Sequence, residues 1–333
     1  MLKDVGPRIR GFFARLFRRK PPAAGYFVKG DKTSLRGWVH VAPWLWPSRE
    51  YLLYVPRGYG GWKRRRLLVL IHGCRQTPEE FAAATRITAL ADEHGWLVLL
   101  PRQTDKASAW SCWNWFDTAT SAGRGEAAIV AAQIRAVRRH YRVHRRRIVV
   151  AGFSAGGALA TALAVRHPQL FAGAFVHSGL ACGAASGPAA AVGVMRDGAN
   201  TDFGQIGAQA RAAAGGAVRL PLVVLQGGID PVVAEINASQ VARQFLALNG
   251  YSPSATSEGG LPKADAESSV TSPSGRTVTT SEYRDGRRVL VRLVRVGQLG
   301  HAWSGGDPAF QYNDPEPPDA TKLLGEFVDG ITR

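Results

Sequence analysis

The chain has 333 residues, 45% of them hydrophobic and 20% charged, which suits a soluble globular protein with a large core and excludes a disordered polymer. Lys and Arg number 42 against 25 Asp and Glu, a net charge of +17, so the surface should attract anions; no aromatic-interleaved motif or recognition helix accompanies the charge, which argues against nucleic acid as a partner. Three cysteines, Cys74, Cys112 and Cys182, are too few for a small disulfide scaffold, and no CxxC or HExxH pattern offers a metal site.

Residues 1–22 form a basic tail ending in Pro21-Pro22. Within 1–20, Ile9, Phe12, Phe13, Leu16 and Phe17 share one face of a helix and basic residues occupy much of the rest. Such a tail suits an anionic membrane or granule surface, and equally suits disorder or packing on its own domain. It lacks the continuous apolar core of an export signal, and no later run is long enough to span a bilayer.

Residues 23–333 read as one domain. Mixed aromatic and turn residues over 37–54 suggest early edge strands, after which apolar runs at 67–71, 96–100, 148–151, 170–176 and 222–225 alternate with helical spacing at 78–94, 126–141, 155–166 and 235–248. Strand and helix in alternation imply a mostly parallel sheet with helices on both faces. The Ala/Gly-rich stretch 182–218 fits helical excursions where a lid would grow, and the Ser/Gly/Pro composition of 251–275 reads as a mobile insertion. Strands at 277–283 and 288–296 joined around Asp285-Gly286 form an expected hairpin, and 319–331 a closing helix. Two of the basic runs, which lie at 63–66, 135–147 and 284–295, directly precede apolar strands, where a solvated strand entrance accounts for them.

Gly152-Phe153-Ser154-Ala155-Gly156 is a G-x-S-x-G pattern, weak alone but here set between an apolar strand and an Ala-rich helix, the strand-turn-helix of a nucleophile elbow. A serine hydroxyl needs a base and a carboxylate to orient that base. In the α/β-hydrolase order the acid and then the histidine follow, and Asp230, just after the 222–225 strand, and His301, just after the hairpin, occupy those places. His72 and His177 also end strands but precede the acid; Glu235 and Asp202 are the rival acids. The two oxyanion donors are expected from the backbone of Ala155 and Cys74. The aromatic run 110–116 either plugs the sheet edge or lines an apolar groove; in the second reading Trp113 and Trp115, with Trp303, contact substrate.

These segments together resemble the poly(3-hydroxybutyrate) depolymerase family of esterases over residues 67–306. The resemblance rests on Ile71-His72-Gly73-Cys74-Arg75-Gln76, Cys112-Trp113-Asn114-Trp115-Phe116, Ala151 through Gly157, His177-Ser178-Gly179-Leu180 and Gly300-His301-Ala302-Trp303-Ser304-Gly305-Gly306. It implies an α/β-hydrolase that cleaves hydroxyalkanoate esters with a triad of Ser154, Asp230 and His301, an oxyanion loop at Cys74 and no cofactor. It also implies a bridge between Cys74 and Cys112, and an extracellular setting at odds with the absent signal. Departures are Gln226-Gly227-Gly228-Ile229-Asp230, where the family usually has His-Gly-Asp-x-Asp, and the lack of a polymer-binding module. Similar chains shade into feruloyl and acetyl-xylan esterases, an alternative substrate class, and a binding protein on a hydrolase scaffold is the alternative outside enzymes.

Overall fold

The structure, a computed structural model, describes residues 24–34, 48–60, 62–251 and 260–331. The amphipathic tail expected over 1–22 lies outside them.

Strands β1 (Tyr26–Ser34) and β2 (Ser48–Val55) run antiparallel at one margin and are followed by β3 (Arg65–Ile71). The helical pattern of 78–94 is split into α1 (Pro78–Ala84) and α2 (Ile87–His94). Thr85 Oγ1 donates to the Phe81 carbonyl oxygen and Arg86 turns to φ +53°, a break that no Gly or Pro announces in the sequence. Then come β4 (Leu97–Pro101), the short α3 (Thr118–Ser121), α4 (Gly125–His140), β5 (Val143–Phe153), α5 (Ala155–Arg166) and β6 (Gly173–His177). Residues 182–218 contain α6 (Pro188–Asp197) and α7 (Phe203–Ala213), followed by β7 (Leu222–Gly227) and α8 (Ile236–Leu248). The expected mobile insertion 251–275 is in part regular: 266–271 form β8 (Ala266–Thr271), which pairs with β9 (Thr277–Asp285), while 252–259 lie outside the described residues. β10 (Arg288–Val296) and α9 (Ala320–Ile331) complete the fold.

Among the described residues, ten strands make one sheet in the order β1-β2-β4-β3-β5-β6-β7-β10-β9-β8. The centre, from β4 to β10, is parallel throughout. Side chains alternate between two cores, as a strand covered on both faces requires. Leu67, Val69 and Ile71 join Val130, Ile134, Leu159 and Phe245 on one face, while Leu68 and Leu70 join Phe81, Ile87, Leu324 and Val328 on the other. This is the α/β fold expected from the strand and helix alternation. Its parallel strands share one polarity, so the C-terminal ends of β3, β5, β6, β7 and β10 all reach one edge, where loops from each converge.

Candidate active site

At that edge β5 turns into α5 through Ser154, whose backbone is held at φ +55° and ψ −123°. The flanking glycines are sterically required. A Cβ on Gly152 would lie 2.2 Å from the Gly156 carbonyl oxygen, and one on Gly156 would lie 2.3 Å from the Ile71 oxygen and 2.4 Å from that of His72. The Ser154 N–H donates to the His177 carbonyl oxygen at 2.9 Å, pinning the turn to the end of β6. All of α5 from Ala155 to Val165 is buried, and five of its eleven residues there are Ala, small enough to fit between sheet and neighbouring helices.

Asp230 follows β7 and His301 follows β10. The His301 Nε2 lies 2.9 Å from Ser154 Oγ, and its Nδ1 lies 2.8 Å from Asp230 Oδ2 and 3.1 Å from Oδ1. Asp230 Oδ1 also accepts from the backbone N–H groups of Val232 and Val233, at 2.9 and 2.8 Å, and Gln226 Nε2 donates to Oδ2 at 3.3 Å. Burial alone would push this carboxyl up. The hydrogen bond and charge of His301 and the two N–H donors outweigh it and hold the group below the usual carboxylate range, so it is ionised at neutral pH. A hydroxyl, an imidazole and a buried carboxylate in line form an arrangement competent for nucleophilic acyl transfer.

The rivals are engaged elsewhere. Asp202 caps α7 and pairs with Arg243, and Glu235 pairs with Arg295. His72 and His177 are fully buried supports. His72 Nε2 accepts from Gln103 N, and His177 Nε2 accepts from Ser304 N. Burial lowers their pKa values to about 4 and about 3.

Two loops meet opposite Ser154. Cys74 and Cys112 are joined by a disulfide, the pairing implied by the family resemblance, and Arg75 N donates to the Trp110 carbonyl oxygen. Gln76 Oε1 accepts from Gly73 N at 2.8 Å, closing the turn that contains Cys74. Ala155 is the first residue of α5, where an N–H has no partner within its helix. Cys182 is a free buried thiol. Among the described residues, no group of three His, Cys, Asp or Glu side chains is placed to hold a metal ion.

The tryptophans require a correction. Trp113 and Trp303 have no exposure at all, and Trp115 only 6%. Trp113 donates its indole N–H to the His72 carbonyl oxygen, and Trp303 donates to Thr321 Oγ1 while its ring packs against Phe81, Phe175 and His177. Trp115 belongs to the same core as α4 and α5 and meets Phe116 edge-on. With their polar atoms satisfied inside, Trp113 and Trp303 support the loops and do not line a groove. The exposed member of the run is Trp110, which stands 63% open with the Arg75 guanidinium 4.9 Å from its ring centre.

A buried polar network that nothing in the sequence announces holds these loops from behind. Glu126, in the first turn of α4, accepts from Arg49 at 2.7 Å, from Gln103 at 2.6 Å and from the Asn114 backbone at 2.7 Å. Gln103 in turn donates to the Cys112 carbonyl oxygen.

Residues 49–264 match the model of a family described as an esterase, PHB depolymerase. The chain belongs to the PHB depolymerase esterase family. Ser154 and Asp230 lie within the matched span of this PHB depolymerase family, and His301 beyond it. Among curated proteins, the chain is 27% identical over 229 residues to poly(3-hydroxyalkanoate) depolymerase C of Paucimonas lemoignei, covering 67% of this chain and 55% of that one. It is 27% identical over 133 residues to a probable acetylxylan esterase A of Aspergillus clavatus, covering 39% and 42%. The alignments thus span about half the length of the curated relatives. Among solved structures, the acetyl xylan esterase from Aspergillus awamori superposes with a TM-score of 0.63 at 19% identity, over 82% of this chain and 94% of that one, a likeness of fold.

In this member of the PHB depolymerase family the bridge closes a loop of 38 residues. Chain entropy assigns such a closure up to about 4 kcal/mol, and measured values cluster at about 2–4 kcal/mol. Cys74→Ser/Cys112→Ser should therefore lower the urea unfolding free energy by about 2–4 kcal/mol. An unchanged midpoint would show that the bridge does not restrain the unfolded chain.

Proposed function

We propose that the protein is a serine carboxylic-ester hydrolase acting on esters of hydroxyalkanoic acids, with Ser154 as nucleophile, His301 as general base and Asp230 as its orienting acid. The observation that carries the reading is the continuous hydrogen-bonded line from Ser154 Oγ through both ring nitrogens of His301 to Asp230.

His301 Nε2 takes the Ser154 proton as Oγ attacks the ester carbonyl. The resulting oxyanion accepts from the N–H groups of Ala155 and Cys74, each such donor contributing about 3 kcal/mol. Collapse of the tetrahedral species expels the alcohol, protonated by His301, and leaves an acyl-enzyme. Water, deprotonated by the same imidazole, then releases the hydroxy acid. Asp230, ionised throughout, keeps the Nδ1 proton in place and stabilises the imidazolium.

The substrate class is supported by family membership and by the depolymerase relative. A second reading, hydrolysis of acetyl or feruloyl esters of plant cell-wall polysaccharide, is favoured by the acetylxylan esterase relative. The chain should release 3-hydroxybutyrate from soluble oligomers faster than it releases acetate from acetylated xylan or ferulate from methyl ferulate. A reversed order transfers the same chemistry to carbohydrate esters. A fluorophosphonate should add once, on the peptide carrying Ser154; an adduct elsewhere would remove the proposed nucleophile.

A further inference from the structure

The N-terminal ends of the parallel strands, opposite the candidate active site, carry a different chemistry. An open cleft of about 570 Å³ is lined by Arg64 before β3, by Arg135, Arg138 and Arg139 in the last turns of α4, by Arg142 just before β5 and by Arg145 near its start. His140, Tyr141 and Val143 complete the lining, so it contains no carboxylate. Five of the six arginines are exposed, and among the described residues none of the six forms an ion pair. A second cleft of about 840 Å³ shares Arg145 and extends to Arg146, Arg219, Arg287 and Arg288, where Asp285 and Glu326 also line it and the cations remain in excess.

Like charges at this density repel one another in the free protein. Arg135 registers it: burial first, then Arg139 and Arg138, pull its pKa below the ordinary value. His144 is lowered by burial and then by Arg147, Arg64 and Arg146. A solvated strand entrance explains a basic residue or two, but not a concavity of six guanidinium groups without a carboxylate partner among the described residues.

The aromatics exposed at the same pole indicate the partner. Trp62, between β2 and β3, is 82% exposed with the Arg142 guanidinium 5.6 Å from its ring centre. Tyr26 is 45% exposed at the start of β1, opposite Val55, at this same pole. Tryptophan and tyrosine beside unpaired cations are the composition that partitions to a lipid headgroup region. The cations are spread over adjoining open clefts, and among the described residues no helix projects from them to read a nucleic-acid groove.

We propose that this arginine-lined pole docks on an anionic lipid surface, with guanidinium groups on the phosphates and Trp62 at headgroup depth, leaving Ser154 and His301 facing away from the surface. The full chain should co-sediment with phosphatidylcholine vesicles containing phosphatidylglycerol, release as salt rises, and ignore pure phosphatidylcholine. At about 1 kcal/mol per arginine, Arg135→Gln/Arg139→Gln/Arg145→Gln should bind about 100-fold more weakly. Trp62→Ser should also bind more weakly, and both variants should retain the parent rate on p-nitrophenyl butyrate. The independent double variant Arg64→Gln/Arg288→Gln should bind about 30-fold more weakly by the same count, which guards against a folding defect in the triple variant. Variants that bind as the parent does, a parent that binds pure phosphatidylcholine equally or binds neither vesicle, or binding confined to duplex DNA or RNA would each overturn the proposal.

Discussion

Ser154→Ala should lower kcat/KM for p-nitrophenyl butyrate by about 10⁵-fold while leaving the fold intact. The serine hydroxyl has one described hydrogen bond, to His301, and Ala tolerates the positive φ of the elbow no worse than Ser does. The thermal midpoint should therefore stay close to that of the parent. Because nucleophile and base act as a unit, Ser154→Ala/His301→Ala should be no slower than Ser154→Ala alone. The remaining rate, above that of water, would report what the Ala155 and Cys74 donors contribute without a nucleophile. Retention of more than a tenth of parental turnover by Ser154→Ala would sink the proposed mechanism.

Acid should unfold this protein well before it protonates most carboxylates. His72 and His177 are buried as neutral rings, and each uses Nε2 as an acceptor, a role that protonation abolishes. Their folded pKa values, about 4 and about 3, lie below the ordinary 6.5. As pH falls through 6.5 the unfolded chain takes up both protons while the folded chain takes up neither, so stability is lost from there down to the folded values. Between pH 7.5 and 4.5 the two sites together should remove about 5 kcal/mol, comparable to the whole stability of many domains. Asp230, also depressed, acts in the same direction but only below about pH 4. Urea unfolding at the two pH values measures the loss, and two imidazole C2–H resonances should fail to titrate down to pH 5. Equal stability at both values would mean these rings are not held neutral.

The parts of the fold visible in the sequence are those where burial and period coincide. Helix α5 and strand β10 have the extents read from apolar spacing, since α5 is buried all round and β10 sits inside the sheet. β8 escaped notice because its side chains are mostly exposed, so Glu267-Ser268-Ser269 shows no apolar alternation. The start of β6 was misplaced because Pro168 to Leu170 form a 3-10 turn ahead of it. That Ser154, Asp230 and His301 come together was legible because each follows an apolar run that ends in glycine or a turn. The role of Trp113 and Trp303 was not legible, since an aromatic residue in a loop reads the same whether its N–H meets water or a buried acceptor. Nor was that of Glu126, whose partners arrive from residues 49, 103 and 114.

Ser154 and His301 are separated by 147 residues, and Asp230 and His301 by 71. His301 reaches the Ser154 hydroxyl only after β10 has docked on β7, nearly the last strand pairing that synthesis from the N-terminus allows. Helical signal can return early in refolding, through local contacts in α4, α5 and α8, while the site stays unassembled. On the proposed mechanism turnover is therefore a clock for the final stage of maturation, since a nascent chain that has already formed the turn at Ser154 still has no His301 beside it.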